Sequence, residues 1–128
     1  MNDITLAIKV MTYDIDFAGI VSNISYVRWL EDLRLAVAEQ RLSLGDAFAR
    51  GIAPVLMRTE IDYLAPVRYP DTVDGRMWME QVGPIRWTLA AEFTSRATGR
   101  VTARARQSGV FISLATLQPI RLPKEYRP

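Results

Sequence analysis

Residues 4–13, ITLAIKVMTY, alternate apolar and polar positions well enough to predict a first strand. Residues 14–21 connect it to a segment with a longer period. Tyr26, Leu30, Leu33 and Val37 recur at i, i+4, i+7 and i+11, with Trp29, Ala36 and Gln40 beside them. That spacing predicts one buried stripe on a helix of about four or five turns. Glu31, Asp32, Arg34, Glu39 and Arg41 fall largely outside the stripe. Ser22 or Ser25 can cap this helix, since a serine hydroxyl accepts a first-turn N–H. A second short helical piece is expected over Leu44–Arg50, with Gly51 as its stop.

After Gly51 the period falls to two. Val55, Met57, Thr59, Ile61 and Tyr63 share one face of a strand, and Arg58, Glu60 and Asp62 the other. Ala65-Pro66 ends that run. Val73, Gly75, Met77 and Met79 then alternate with Asp74, Arg76, Trp78 and Glu80 up to a turn at Gly83-Pro84. Trp87, Leu89, Ala91 and Phe93 alternate with Arg86, Thr88, Ala90, Glu92 and Thr94. Ala97-Thr98-Gly99 fits a hairpin loop. Val101, Ala103 and Ala105 open a last strand that can run to Leu114, and Pro119, Pro123 and Pro128 make the tail irregular.

The order is a strand, a long helix, then four strands in a largely antiparallel meander. The class is α+β, with about five strands around one central helix. One helix covers one face of such a sheet. Its other face and its edges need company, so at least a dimer is expected.

A length of 128 residues fits one domain, 1–128, with 49% hydrophobic and 23% charged residues. No apolar run approaches a membrane span, so no membrane insertion is expected. MNDITLAIKV lacks a basic region followed by an apolar one, so no signal peptide is expected. There are no cysteines, which removes thiol chemistry and leaves a cytoplasmic default. There are no histidines either. Ser-His-Asp and Cys-His catalysis are excluded, and no metal site is expected without His or Cys. The net charge of +2 is uneven: residues 86–128 carry 8 basic side chains against Glu92 and Glu125. Fourteen of the sixteen cations are Arg, whose fork suits phosphate, although a solvated basic surface explains the bias equally well.

The chemistry concentrates in Tyr13–Arg34, YDIDFAGIVSNISYVRWLEDLR. A strand-like run ends in two aspartates, crosses a small-residue turn at Ala18-Gly19, and enters the helix. A carboxylate then stands beside outward-pointing helix N–H groups, which can polarise a carbonyl. The plain alternative is that Asp14, Asp16 and Asn23 are turn and cap residues. Trp29, Tyr26 and Leu30 serve a core as well as an acyl pocket, and so do Met57, Met77 and Met79. Arg100, Arg104 and Arg106 share a strand face that either meets phosphate or discourages edge pairing. Glu60 and Asp62 are read as solvated or paired with Arg58.

Asp16-Phe-Ala-Gly-Ile-Val-Ser-Asn23-Ile-Ser-Tyr26, followed by Arg28-Trp29-Leu30-Glu31, resembles the signature of hotdog-fold acyl-CoA thioesterases. The 4-hydroxybenzoyl-CoA thioesterase group and the Tol–Pal-associated thioesterases share its D-x-D-x-x-G-x-V-x-x-x-x-Y pattern. Ile61-Asp62-Tyr63-Leu64-Ala65-Pro66-Val67-Arg68-Tyr69 resembles their second-strand motif, with Pro70-Asp71 in place of Gly-Asp. The resemblance implies a hotdog fold, an antiparallel sheet wrapped around one long helix. It implies hydrolysis of an acyl-CoA or acyl carrier protein thioester, with coenzyme A part of the substrate and no separate cofactor. It places the catalytic carboxylate on Asp16, as nucleophile or general base, and the carbonyl-polarising N–H at or near Asn23. Gly19, Ile20, Val21 and Tyr26 become substrate-binding positions. It also implies a homodimer, or a dimer of dimers, with active sites at the subunit interface. Asp14 is expected to be structural.

Two other readings start from the same residues. One is a hotdog protein that binds an acyl thioester without turning it over. The other makes the basic C-terminal segment a nucleic-acid surface, against which stand the absence of a recognisable motif and the near absence of Lys. Nucleic acid is therefore not an expected partner. A hotdog dehydratase is disfavoured for want of a His.

Overall fold

The computed structural model describes residues 3–128. Strand β1 (Ile4–Lys9) pairs antiparallel with β3 (Thr72–Val82), from Ile4 opposite Met77 to Lys9 opposite Thr72. β1 is shorter than the alternation over 4–13 predicts. The Val10 N–H leaves to the Asp71 carbonyl, and the Asp14 carboxylate accepts the Met11 N–H at 2.8 Å. That local bond competes with the ladder and winds Thr12–Asp14 into a 3-10 turn.

Helix α1 runs over Asn23–Arg41. Ser22 is the N-cap, its Oγ accepting the Ser25 N–H, while Ser25 itself sits buried in the first turn. Tyr26, Trp29, Leu30, Leu33 and Val37 are buried as their spacing predicts, and Ala38 joins them. Gln40 is exposed instead. Helix α2 (Leu44–Ala49) follows, capped by Ser43.

β4 (Arg86–Ser95) and β5 (Val101–Ser113) complete a meander with β3, joined by the two turns expected at residues 83–84 and 97–99. β2 (Ile52–Tyr63) does not belong to that meander. It pairs with β5, from Ile52 opposite Ser113 to Tyr63 opposite Ala103, and the strand order is β1-β3-β4-β5-β2. The antiparallel character holds, but residues 64–71 must cross the sheet to reach β3. A register shift between Leu56 and Arg58 breaks the expected period-two face of β2. Ile61 packs on the core while Met57 is exposed.

The core lies between α1 and the sheet. Leu30, Leu33, Val73, Met77, Phe93 and Ala103 are fully buried within it. The tail is more ordered than its prolines suggest. β6 (Pro119–Ile120) pairs with Phe111 and Ile112 of β5. Leu122 is buried, and Tyr126, in a 3-10 turn at Lys124–Tyr126, meets Phe111 edge-on at 4.9 Å. Arg50 pairs with Glu125 and fastens this segment to the end of α2. Among the described residues, no helix is long and apolar enough to cross a membrane.

Candidate active site

Between β1 and α1 the chain forms a small hairpin. Ile15 and Val21 bridge antiparallel, the Asp16 N–H donates to the Ile20 carbonyl, and the Gly19 N–H returns to the Asp16 carbonyl. Gly19 has φ +76°, the left-handed conformation that closes this tip and that other residues adopt only with strain. A Cβ there would meet nothing within 4 Å, so the turn and not a close approach fixes the glycine. The crossing segment braces the hairpin from the other side. Ile20 bridges Arg68, Val21 N–H donates to the Val67 carbonyl, and Tyr69 N–H donates to the Gly19 carbonyl. The motif around residues 61–71 thus meets the D-x-D segment in space.

Asp16 is exposed at the hairpin tip. Its Oδ1 accepts the Ala18 N–H at 2.9 Å and the Ile20 N–H at 3.4 Å, and among the described residues no hydrogen bond engages Oδ2. The hairpin feeds directly into α1. Helix geometry leaves the N–H groups of Asn23 and Ile24 without intrahelical acceptors, and both residues are exposed. A carboxylate with a free oxygen and two outward N–H groups therefore stand on the same short hairpin-to-helix junction, seven and eight residues apart. The positive end of the α1 dipole adds to the N–H groups.

The other expected site residues spread over different environments. Ile20 is half-buried, and Val21 is buried beneath the hairpin. The structure places Tyr26 in the core and not on the site's surface, at 3% exposure. Its ring meets Trp29, Tyr63 and Phe93 edge-on, and its hydroxyl donates to Thr102 Oγ1 at 3.0 Å. Burial raises the Tyr26 phenol above its ordinary range. Met77 is likewise core. Arg104 and Arg106 are engaged by Glu92 and Glu80, and Arg58 by Glu60, forming a charged ladder on the outer face of the sheet. Among the described residues, no group of three or more acidic side chains is placed to hold a metal ion.

Three features escaped the sequence. Asp14 is buried and bonded to Ser25, a contact that α1 creates and no local pattern announces. Arg34 is half-buried, donating to Gln107 at 2.9 Å while Gln107 donates to Thr59, and burial lowers the guanidinium's pKa. A cavity of about 500 Å³ lies beside the middle of α1, walled by Leu35, Val37, Phe48, Leu56, Trp87 and Leu89. It does not include Asp16 or Asn23, but the exposed side chains of Ile24, Val27 and Leu35 form a helical stripe from the hairpin junction to its rim.

A sequence profile of the family described as the thioesterase-like superfamily matches residues 10–127. The chain belongs to the thioesterase-like superfamily. It is 29% identical over 120 residues to the long-chain acyl-CoA thioesterase FadM of Escherichia coli (strain K12), covering 94% of this chain and 91% of that one. The crystal structure of YbaW, a probable thioesterase from Escherichia coli, superimposes with a TM-score of 0.85 at 28% identity, covering 96% of this chain and 92% of that one. Slr0204, a 1,4-dihydroxy-2-naphthoyl-CoA thioesterase from Synechocystis, gives 0.87 at 23% identity over 98% and 93% of the two chains, a likeness of fold. The hotdog arrangement expected from the signature is the one these superfamily structures share with it. The expectation of a thioester hydrolase agrees with the names that FadM and YbaW carry.

Proposed function

We propose that this protein hydrolyses the thioester of an acyl-CoA, releasing the free acid and coenzyme A. The observation that carries the reading is the hairpin junction, where Asp16 has an unengaged carboxylate oxygen and the N–H groups of Asn23 and Ile24 point out of α1. The thioester carbonyl would accept from the helix N-terminus, which stabilises the oxyanion as it forms. Asp16 would either attack the carbonyl carbon, expelling the thiolate and leaving an anhydride for water to open, or take a proton from the attacking water. Asn23 would orient that water. Gly19 and Ile20 would line the approach, with Val21 and Tyr26 fixing the hairpin and helix from below. Coenzyme A enters as part of the substrate, and the step needs no other cofactor.

The acyl chain is proposed to lie along Ile24, Val27 and Leu35 toward the cavity, a course that suits the long chain in the name of FadM. β2 presents an open edge with Met57, Tyr63 and Leu64 exposed, and a second copy is the proposed cover. Light scattering that finds a monomer at assay concentration would remove that part.

Free-thiol release from aromatic, short-chain and long-chain acyl-CoAs tests the reading. Native turnover should fall at least 100-fold in Asp16→Asn with the fold retained. Equal turnover by the variant would remove Asp16 from the chemistry. Binding without turnover by the native protein would favour a non-catalytic acyl-thioester carrier.

A further inference from the structure

We infer that Asp14 is a positioning residue that clamps the root of the Asp16 hairpin onto the first turn of α1; this rests on the thioesterase reading for its kinetic consequence. Asp14 is the one acidic side chain buried among the described residues, at 4% exposure. No ion pair involves it among those residues. Burying a carboxylate without a cation is costly unless hydrogen bonds hold it. Asp14 has them in two directions. Oδ2 accepts the Met11 N–H at 2.8 Å, and Oδ1 accepts the Ser25 hydroxyl at 3.0 Å. Its backbone carbonyl accepts the Ser22 N–H at 2.8 Å and the same Ser25 hydroxyl at 3.1 Å.

One residue therefore joins the exit of β1, the N-cap of α1 and the buried first-turn serine. Asp14 and Ser22 stand on the two sides of the hairpin, just outside the Ile15–Val21 bridge. With the root fixed, the tip carrying Asp16 keeps one position relative to the Asn23 and Ile24 N–H groups. Without the two side-chain bonds, the root keeps only the bonds to the residue 14 carbonyl, and the hairpin can hinge about these and the Val67 and Tyr69 contacts. Misplacing a reacting group by about 1 Å can cost on the order of 100-fold in rate.

The clamp needs geometry and not charge, and that separates it from an electrostatic role. In Asp14→Asn the amide oxygen can accept from Met11, and the amide N–H can donate to Ser25 Oγ, which still donates to the residue 14 carbonyl. In Asp14→Ala both side-chain bonds are gone. Ser25→Ala removes one of them and is the milder break should Asp14→Ala fold poorly.

The experiment measures kcat and KM for acyl-CoA hydrolysis in these three variants, with amide hydrogen exchange on the same samples. Asp14→Ala is expected to lower kcat about 10- to 100-fold with KM changed less than about threefold. Asp14→Asn restores kcat to within a few-fold of native, and Ser25→Ala falls between. In an Asp16→Asn background, Asp14→Ala should cost nothing further, because it acts through Asp16. Exchange should quicken at the Asp16 and Ser22 amides in Asp14→Ala and stay native-like in Asp14→Asn, with β3, β4 and β5 unchanged. Equal loss of kcat in Asp14→Asn and Asp14→Ala would overturn the clamp in favour of charge. Should the native protein turn over no acyl-CoA, the thioesterase reading fails and exchange alone decides. Unchanged Asp16 and Ser22 amides in Asp14→Ala then overturn the clamp.

Discussion

Gly109 is the position where one added methyl group should do the most damage. It sits in β5 opposite Leu56 of β2 and Trp87 of β4, next to the register shift in β2. A Cβ there would come within 2.8 Å of Trp87 Cη2, and closer still to Cζ2 and to the Val55 carbonyl oxygen. Ordinary carbon contacts lie about 3.5–4.0 Å apart, so the indole must retreat by roughly 1 Å or more. It is 4% exposed and has little room to do so. The Val55 oxygen belongs to the backbone and cannot turn aside without opening the β2–β5 ladder. Overpacking by a methyl costs about 1–3 kcal/mol, and a backbone obstacle puts Gly109→Ala at or above the top of that range. About 3 kcal/mol in a chain of this size is a fall in Tm on the order of 10 °C. Calorimetry of Gly109→Ala measures it. Trp87→Phe in the same background should recover part of the loss, because it removes the indole carbons and not the carbonyl. A Tm within 2 °C of native would show that the strand and the indole give way at little cost, and complete recovery by Trp87→Phe would remove the carbonyl from the account.

Two further outcomes follow from contacts described above. Tyr26→Phe removes the donor to Thr102, which keeps its bond to the Phe93 carbonyl, so chemical denaturation should show a loss of about 1 kcal/mol and no more. Its hydrogen bond with Arg50 holds the Glu125 carboxyl at about 2, below its ordinary value near 4.5. A depressed carboxyl contributes fully above the unfolded value and loses that contribution as pH falls toward the folded one. Protection of the Tyr126 amide, taken relative to its intrinsic exchange rate at each pH, should therefore fall between pH 4.5 and 2 in the native chain, and Glu125→Gln should show the lower protection already at neutral pH, with the acid step gone.

What could be read in the chain followed from how local each feature is. The α1 stripe of Tyr26, Leu30, Leu33 and Val37 and the alternation of Trp87, Leu89, Ala91 and Phe93 are short-range periodicities, and each fixed its element and buried face. The pairing of β2 with β5 joins residues some fifty positions apart, and nothing in either strand names its partner. The D-x-D segment singled out Asp16, and the structure leaves that residue exposed on the hairpin that leads into α1. The burial of Asp14 depends on a 3-10 turn that ends β1 early, while Tyr26, with an apolar neighbour at each helical turn, went to the core. The ordered tail was hidden because Leu122 and Tyr126 enter the core as isolated apolar positions and not as part of any repeat.

The placement of β2 has a consequence for how this chain acquires its shape during synthesis. Residues 52–63 leave the ribosome well before 103–113, the strand that will pair with them. Until then a twelve-residue strand carrying Leu56, Met57 and Tyr63 has neither ladder partner nor cover. The crossing segment that braces the hairpin hangs from the end of that waiting strand. Non-local pairing of this kind is slow, and an uncovered strand invites pairing with other chains. The hairpin junction is thus complete only once β5 has arrived. Any lesion that delays β5 should appear first as aggregation of newly made chains, before it appears as a weaker folded protein.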